Sequence, residues 1–244
     1  MDIDVCFKRN SGTINTSQQH KLKDARITVF GLGGVGGIAA ELLVRAGIGH
    51  LMIIDFDRFE PSNLNRQIHA QKKTIGKKKV DVFAEKMMEI NPKIKINKSD
   101  KKIEFGSLAS FSRALSSFSP GLVIDTMDSA HSRVCLARIC RKAGIDYLYA
   151  AAMGERGMVS VLSSSDNLEK ILYLPSLNKP DEQIESSLIH YPQCKTAWGP
   201  ATNLVGVLAA NAALNFLLKK PYPHAPKFWM VDTFGKKIVR EEQL

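Results

Sequence analysis

A chain of 244 residues with 44% hydrophobic content can bury a full core and is most simply read as one large domain. Its apolar stretches are broken by charge or glycine short of the roughly 18 residues a membrane span needs, and Met1-Asp2-Ile3-Asp4-Val5 does not open a secretory signal, so a cytoplasmic protein is expected. A net charge of +10 and a pI near 9.4 favour anionic partners, while four scattered cysteines without a CxxC pair speak against a disulfide framework and against zinc. Lysines cluster in Lys72–Lys79 and Lys93–Lys102 without interleaved aromatics, which places nucleic acid behind nucleotides as a partner.

In chain order, residues 17–25 read as a short amphipathic helix and 26–30 as a strand. The turn Gly31-Leu32-Gly33-Gly34-Val35-Gly36 follows, then a helix at 34–46 closed by Gly47 and a strand at 50–54 ending in Asp55. This is a mononucleotide-binding βαβ unit. Gly31, Gly33, Gly34 and Gly36 let backbone approach phosphate, and Asp55 is placed to accept from ribose hydroxyls. By motif alone the unit suits NAD about as well as ATP. The loop at 55–70 then carries Asp57 and Ser62-Asn63-Leu64-Asn65-Arg66-Gln67, followed by Lys77-Lys78-Lys79, a density of phosphate ligands that a nicotinamide site does not need.

A helix at 77–90 shows Val80, Phe83, Ala84, Met87 and Ile90 at helical spacing and stops at Asn91-Pro92. A strand at 93–98, a helix at 107–117 and a strand at 122–124 follow, the last ending in Asp125-Thr126-Met127-Asp128. A helix at 130–143 and a strand at 146–151 complete the alternation. The fold class expected is α/β: a Rossmann-like, doubly wound, mainly parallel sheet with helices on both faces, which puts Asp55 and Asp128 on one rim. After Val159-Ser160-Val161 the periodicity fails, and the polar stretch 163–197 reads as a lid or crossover loop. Thr202–Leu218 is apolar nearly all round and expected to be buried, with a subunit interface as a candidate location. A strand at 228–231 and a polar tail end the chain. The expected organisation is a single domain over 1–244: arm 1–25, nucleotide-binding core 26–161, crossover loop 162–200, and C-terminal helix and strand 201–244.

The ordered set GLGGVG, IDFD, SNLNRQ, IGKKKV, INP and DTMDS resembles the ThiF/MoeB group of E1-like adenylyltransferases, from about Arg9 to Asp232. The resemblance implies ATP-dependent activation of a carboxylate as an acyl-adenylate, with release of pyrophosphate, Mg2+ as the metal and a homodimer. It implies that Arg66 and Lys79 act on the phosphates, that Asp128 serves the magnesium ion, and that Arg9 reaches the γ-phosphate from the other subunit. Asn63, Gln67, Asp57, Asp55 and the turn glycines would contact the nucleotide. The chemistry wants cations and a metal, because attack at the α-phosphate builds negative charge there and on pyrophosphate; it needs no general base, since a carboxylate is already ionised near neutral pH. Taken singly, Asn63 could cap a turn, Arg66 could pair with a carboxylate, Lys79 could be solvated and Asp128 could cap the helix from Ala130. His69 and His131, flanking these residues, read as structural hydrogen-bonders.

Cys194-Lys195-Thr196-Ala197-Trp198-Gly199-Pro200 is similar to the segment in which sulfur-transferring members carry a reactive cysteine, with Trp198 in place of a small residue. Cys194 is therefore a candidate nucleophile. The missing CxxC pairs point away from a ubiquitin-like sulfur carrier and toward a small-molecule carboxylate such as guanylylpyridinol, the substrate of the ThiF-like adenylyltransferase of Fe-hydrogenase cofactor biosynthesis. Asn65-Arg66-Gln67-Ile68-His69-Ala70 resembles the tRNA threonylcarbamoyladenosine dehydratase. That dehydration and sulfur-carrier activation are the alternatives, with a downstream acyl-acceptor protein as a further partner. Outside the family, an NAD-binding oxidoreductase or a nucleotide sensor would share the βαβ unit.

Overall fold

The computed structural model describes residues 5–191 and 196–244. Through residue 153 it follows the expected alternation, each element within two residues of its expected bounds: α1 (Thr16–Asp24), β1 (Arg26–Phe30), α2 (Gly34–Ala46), β2 (His50–Ile54), α3 (Lys79–Ile90), β3 (Lys95–Ser99), α4 (Leu108–Phe118), β4 (Leu122–Asp125), α5 (Ala130–Ala143) and β5 (Tyr147–Met153). The local reasons are visible. Asn15 and Gln18 form a capping box at the start of α1, and Gly47 and Gly144 close α2 and α5 in the left-handed conformation. The five strands run parallel in the order β3-β2-β1-β4-β5, so their carboxyl ends share one rim.

Beyond β5 the sheet continues through three antiparallel strands, β6 (Arg156–Leu162), β7 (Lys227–Asp232) and β8 (Val239–Gln243). The polar tail after β7 thus contains an edge strand. Its sequence, Val-Arg-Glu-Glu-Gln, is mostly exposed, and charged edges of this kind carry no hydrophobic alternation to betray them.

The stretch read as a lid is a packed unit over its described part. Between β6 and α8 (Gly199–Leu217), the short helices α6 (Leu168–Ile171) and α7 (Ile184–Ser187) pack on α5, and Leu168, Leu174, Ile184 and Leu188 of this stretch are buried in one core with it. Arg138 of α5 pins them. Its guanidinium donates to Glu169 at 2.7 and 2.8 Å, to Asp181 at 2.8 Å and to the Ser176 carbonyl at 2.9 Å. Partners this far apart in sequence cannot be read from local periodicity.

One core lies between the sheet and α2, α3 and α8, and a second between the sheet and α4 to α7. α8 begins three residues before its expected start, with Pro200 in its first turn. By length and composition it is apolar enough to cross a membrane, but its small residues Ala201, Gly206, Ala209, Ala210 and Ala213 pack on α2, β5 and β6. A side chain at Gly206 would stand 2.6 Å from the Val35 carbonyl, so the two helices meet backbone to backbone.

Candidate active site

The glycine turn is shaped by contacts from β4. Gly31 has φ +89°, and a side chain there would press on the Thr126 backbone at 3.1 Å. At Gly36 a Cβ would lie 2.0 Å from the Gly31 carbonyl oxygen, and at Gly34 it would lie 2.9 Å from Thr202 Oγ1. Gly33 differs. Its added Cβ would meet only Gln67 Nε2 at 3.9 Å, so the turn leaves a concavity at this position. Gly33 is also the N-cap of α2 and supplies no side-chain cap, which leaves the first N–H groups of a thirteen-residue helix for an anion.

Asp55 braces this turn. Oδ2 accepts from Leu32 N at 2.6 Å and Oδ1 from Asp57 N at 2.8 Å, and each oxygen keeps a lone pair for a further donor. Burial pushes its carboxyl above the ordinary range, against the pull of Lys79 and the two backbone donors. Lys79, the first residue of α3, is buried and not solvated: its Nζ stands 2.8 Å from Asp57 Oδ2 and 3.9 Å from Asp55 Oδ2.

The Ser62–Gln67 segment lies against the turn. Asn63 does cap: its Oδ1 accepts from Glu60 N at 3.1 Å, closing the short turn Pro61–Asn63. Among the described residues Arg66 does not pair with a carboxylate; it donates to the Ser62 carbonyl at 2.9 Å and to Asn65 Oδ1 at 2.8 Å through one nitrogen. Its Cγ rests 3.3 Å from where a Gly34 Cβ would be. Asn203 of α8, with its amide oriented to satisfy both acceptors, donates to the Gly34 and Arg66 carbonyls and ties the segment to the turn. Gln67 is buried, and its Oε1 has no partner among the described residues. An orphaned acceptor beside an open glycine suits a ligand donor.

Asp128 is exposed and makes no hydrogen bond or ion pair among the described residues. The cap of α5 is Ser129, whose side chain accepts from Ser132 N, so the carboxylate of Asp128 is not spent there. Behind it lies a group the sequence reading passed over. Asp125 is fully buried and accepts from Met127 N at 2.9 Å, from Arg133 at 3.3 Å and from the Tyr147 hydroxyl. Arg133 also donates to the Ala150 carbonyl and sits 4.6 Å over the Tyr149 ring. Burial raises both Asp125 and Tyr147 above their ordinary values. This network fixes the loop that presents Asp128. The signal available in the sequence was a carboxylate closing an apolar strand.

The described residues hold no group of three or more His, Cys, Asp or Glu arranged for a metal. A magnesium ion that takes one or two carboxylates and otherwise phosphate oxygens and water fits Asp128 on an open rim. Arg9 is not brought to the site within one chain. It is exposed on the turn Val5–Asn10, and Asn10 donates to the Ala46 carbonyl at the far end of α2, about 20 Å from the glycine turn at 1.5 Å per residue. Cys194 lies outside the described residues. His69 packs edge-on to Phe83, and His131 contacts Cys135.

The sequence matches the ThiF family over residues 7–243. It is 34% identical over 186 residues to the tRNA threonylcarbamoyladenosine dehydratase of Escherichia coli, covering 75% of this chain and 68% of that protein. It is 34% identical over 216 residues to the molybdopterin-synthase adenylyltransferase of Salmonella typhimurium, covering 88% and 81%. Crystal structures of E. coli MccB share the fold at 20% sequence identity. The structure with ATP has a TM-score of 0.75 over 99% of this chain and 72% of that one, and the structure with succinimide 0.72 over 93% and 66%. The chain thus spans about two thirds of MccB's length. It belongs to the ThiF family of E1-like adenylyltransferases.

Proposed function

We propose that this ThiF-family chain binds ATP on its glycine turn and transfers the adenylyl group to a substrate carboxylate, releasing pyrophosphate. The observation that carries the reading is a pair of groups on the strand-end rim left uncommitted among the described residues: Arg66, with no carboxylate partner, and Asp128, with neither cap nor ion pair. A carboxylate oxygen attacks the α-phosphorus, a new C–O–P bond forms, and the bond to the β-phosphate oxygen breaks. Charge grows on the phosphoryl oxygens and on the departing pyrophosphate, where the free N–H groups of Arg66 and the ammonium of Lys79 stabilise it. The N-terminus of α2 receives a phosphate, Asp55 holds the ribose, and Gln67 Oε1 accepts from the nucleotide. Asp128 would hold the magnesium ion, which supplies charge neutralisation on the phosphates.

The active unit is proposed to be a cytoplasmic homodimer in which Arg9 completes the site of the other subunit. For the carboxylate, the missing CxxC pairs support a small molecule such as guanylylpyridinol. The net charge of +10 and the 34% identity to a tRNA threonylcarbamoyladenosine dehydratase favour a second reading, a carboxylate borne by modified tRNA. Exchange of labelled pyrophosphate into ATP tests both. Exchange that depends on guanylylpyridinol, or on tRNA carrying the threonylcarbamoyl group, identifies the substrate; exchange that depends instead on a sulfur-carrier C-terminus removes both. No exchange with any carboxylate, under conditions where ATP binds, overturns the adenylyl transfer.

A further inference from the structure

The sheet brings two sequence-distant aromatic rings to the catalytic rim. β6 starts at Arg156, paired with Met153 at the carboxyl end of β5, and β7 ends at Asp232, opposite the same Arg156. The turn after β7, with Phe234, therefore projects from the rim on which β1, β2 and β4 end. Trp198, the N-cap of α8, is fixed there as well: its N donates to the Gly154 carbonyl at 3.2 Å, and Asn65 donates to the Ala197 carbonyl at 3.1 Å. Gly199 abuts the Asn65 carbonyl so closely that a Cβ would lie 2.6 Å away. Trp198 thus stands beside Asn65-Arg66 on a rigid seat. Its ring lies 6.3 Å from that of Phe234, inclined by 52°, and the two residues are 49% and 75% exposed. Lys236 and Lys237 follow on the same turn, both exposed and without an ion pair among the described residues.

We infer that Trp198 and Phe234 form a stacking platform for a planar heteroaromatic ring that the substrate carries near its carboxylate. The inference rests on the adenylyl-transfer reading and narrows it. Splayed, half-open rings offer a face to a flat π-system, and the neighbouring lysines favour an anionic one. A glycine-rich carrier tail has no ring to place there. The platform is continuous with the site through Asn65, so a ring stacked on it lies on the substrate side of Arg66.

The test measures binding of the nucleoside N6-threonylcarbamoyladenosine as probe, with the ATP site filled by α,β-methylene-ATP and glycylglycine as the ringless control. The wild type is expected to bind the nucleoside and not glycylglycine. Trp198→Ala and Phe234→Ala should each weaken the nucleoside about ten-fold, as loss of a base–aromatic stack does, while Trp198→Phe largely retains it and ATP affinity stays unchanged. Failure of the wild type to bind the nucleoside, or undiminished affinity in both alanine variants, overturns the platform. So does a shift from dimer to monomer in those variants with nucleoside affinity retained, since the rings would then belong to a subunit interface. Ring binding with no pyrophosphate exchange would leave the platform standing and remove the adenylyl transfer instead.

Discussion

Lys79 Nζ stands 2.8 Å from Asp57 Oδ2 at the point where α3 begins, with Asp55 Oδ2 at 3.9 Å on its other side. The ammonium is buried, yet among the described residues Asp57 takes one of its three donors, which leaves two for phosphate oxygens. Lys79→Met is expected to lower pyrophosphate exchange by about 10²–10³-fold, the scale for removing one preorganised charge from a transition state. It should also lower the denaturation midpoint, because Asp55 loses the cation that offsets its burial. Asp57→Asn, which takes the hydrogen-bonded counter-charge from the buried Lys79, should lower the midpoint by less, because the Asp57 carboxylate is half exposed and Asp55 stays within 3.9 Å of the ammonium.

Asp125, the last residue of β4, and Asp128, three residues on in the loop before α5, have opposite duties. Asp128→Asn removes a carboxylate that holds no partner among the described residues, so stability should stay within about 0.5 kcal/mol while exchange is lost. Asp125→Asn leaves the buried Arg133 without its counter-charge and should cost about 3–5 kcal/mol. Denaturant titration of Asp125→Asn with and without Arg133→Met checks the cause: the double variant should recover part of the loss.

Gly33 and Gly36 separate binding from folding. Gly36→Ala drives a Cβ into the Gly31 carbonyl and should yield little folded protein. Gly33→Ala has room for its methyl and should fold normally, but the methyl occupies the concavity where phosphate would approach. Calorimetric titration with ATP should show weakened binding for Gly33→Ala at an unchanged melting temperature.

Burial lowers the His69 pKa, against the opposing pull of Glu41, whose Oε2 lies 3.2 Å from Nε2. The folded protein therefore binds this proton less readily than the unfolded chain. The stability tied to neutral His69 is present above the ordinary histidine pKa and is lost as pH falls through the lowered value. Between pH 7 and 5, His69→Gln should lose stability less steeply than the wild type. Parallel slopes would place the acid sensitivity elsewhere.

If Arg9 serves the neighbouring subunit's site, Arg9→Ala and Arg66→Ala chains should be inactive alone and complement when mixed. Half of the reassociated dimers are mixed and each has one intact site, so about a quarter of all sites should recover. No recovery in dimers shown to have exchanged subunits would place Arg9 outside catalysis.

The sequence by itself determined the parallel half of the sheet and the family. Gly31 to Gly36, Asp55 and the amphipathic helices are local signals: the inner strands β1, β2 and β4 are apolar runs buried on both faces, and the helices carry their own periodicity. Only the tertiary structure decided which of the marked residues are free to react. Asn63 and Arg66 differ little as loop residues in a sequence, yet the fold spends Asn63 on a turn and leaves most of the Arg66 guanidinium open. Asp125 and Asp128 close one strand, and burial alone separates a structural acid from an available one. The antiparallel strands, the packed 163–191 unit and the meeting of Trp198 with Phe234 arise from pairings across long stretches of chain. Such pairings are settled by which surfaces the folded sheet brings into contact, and no short window of sequence contains them.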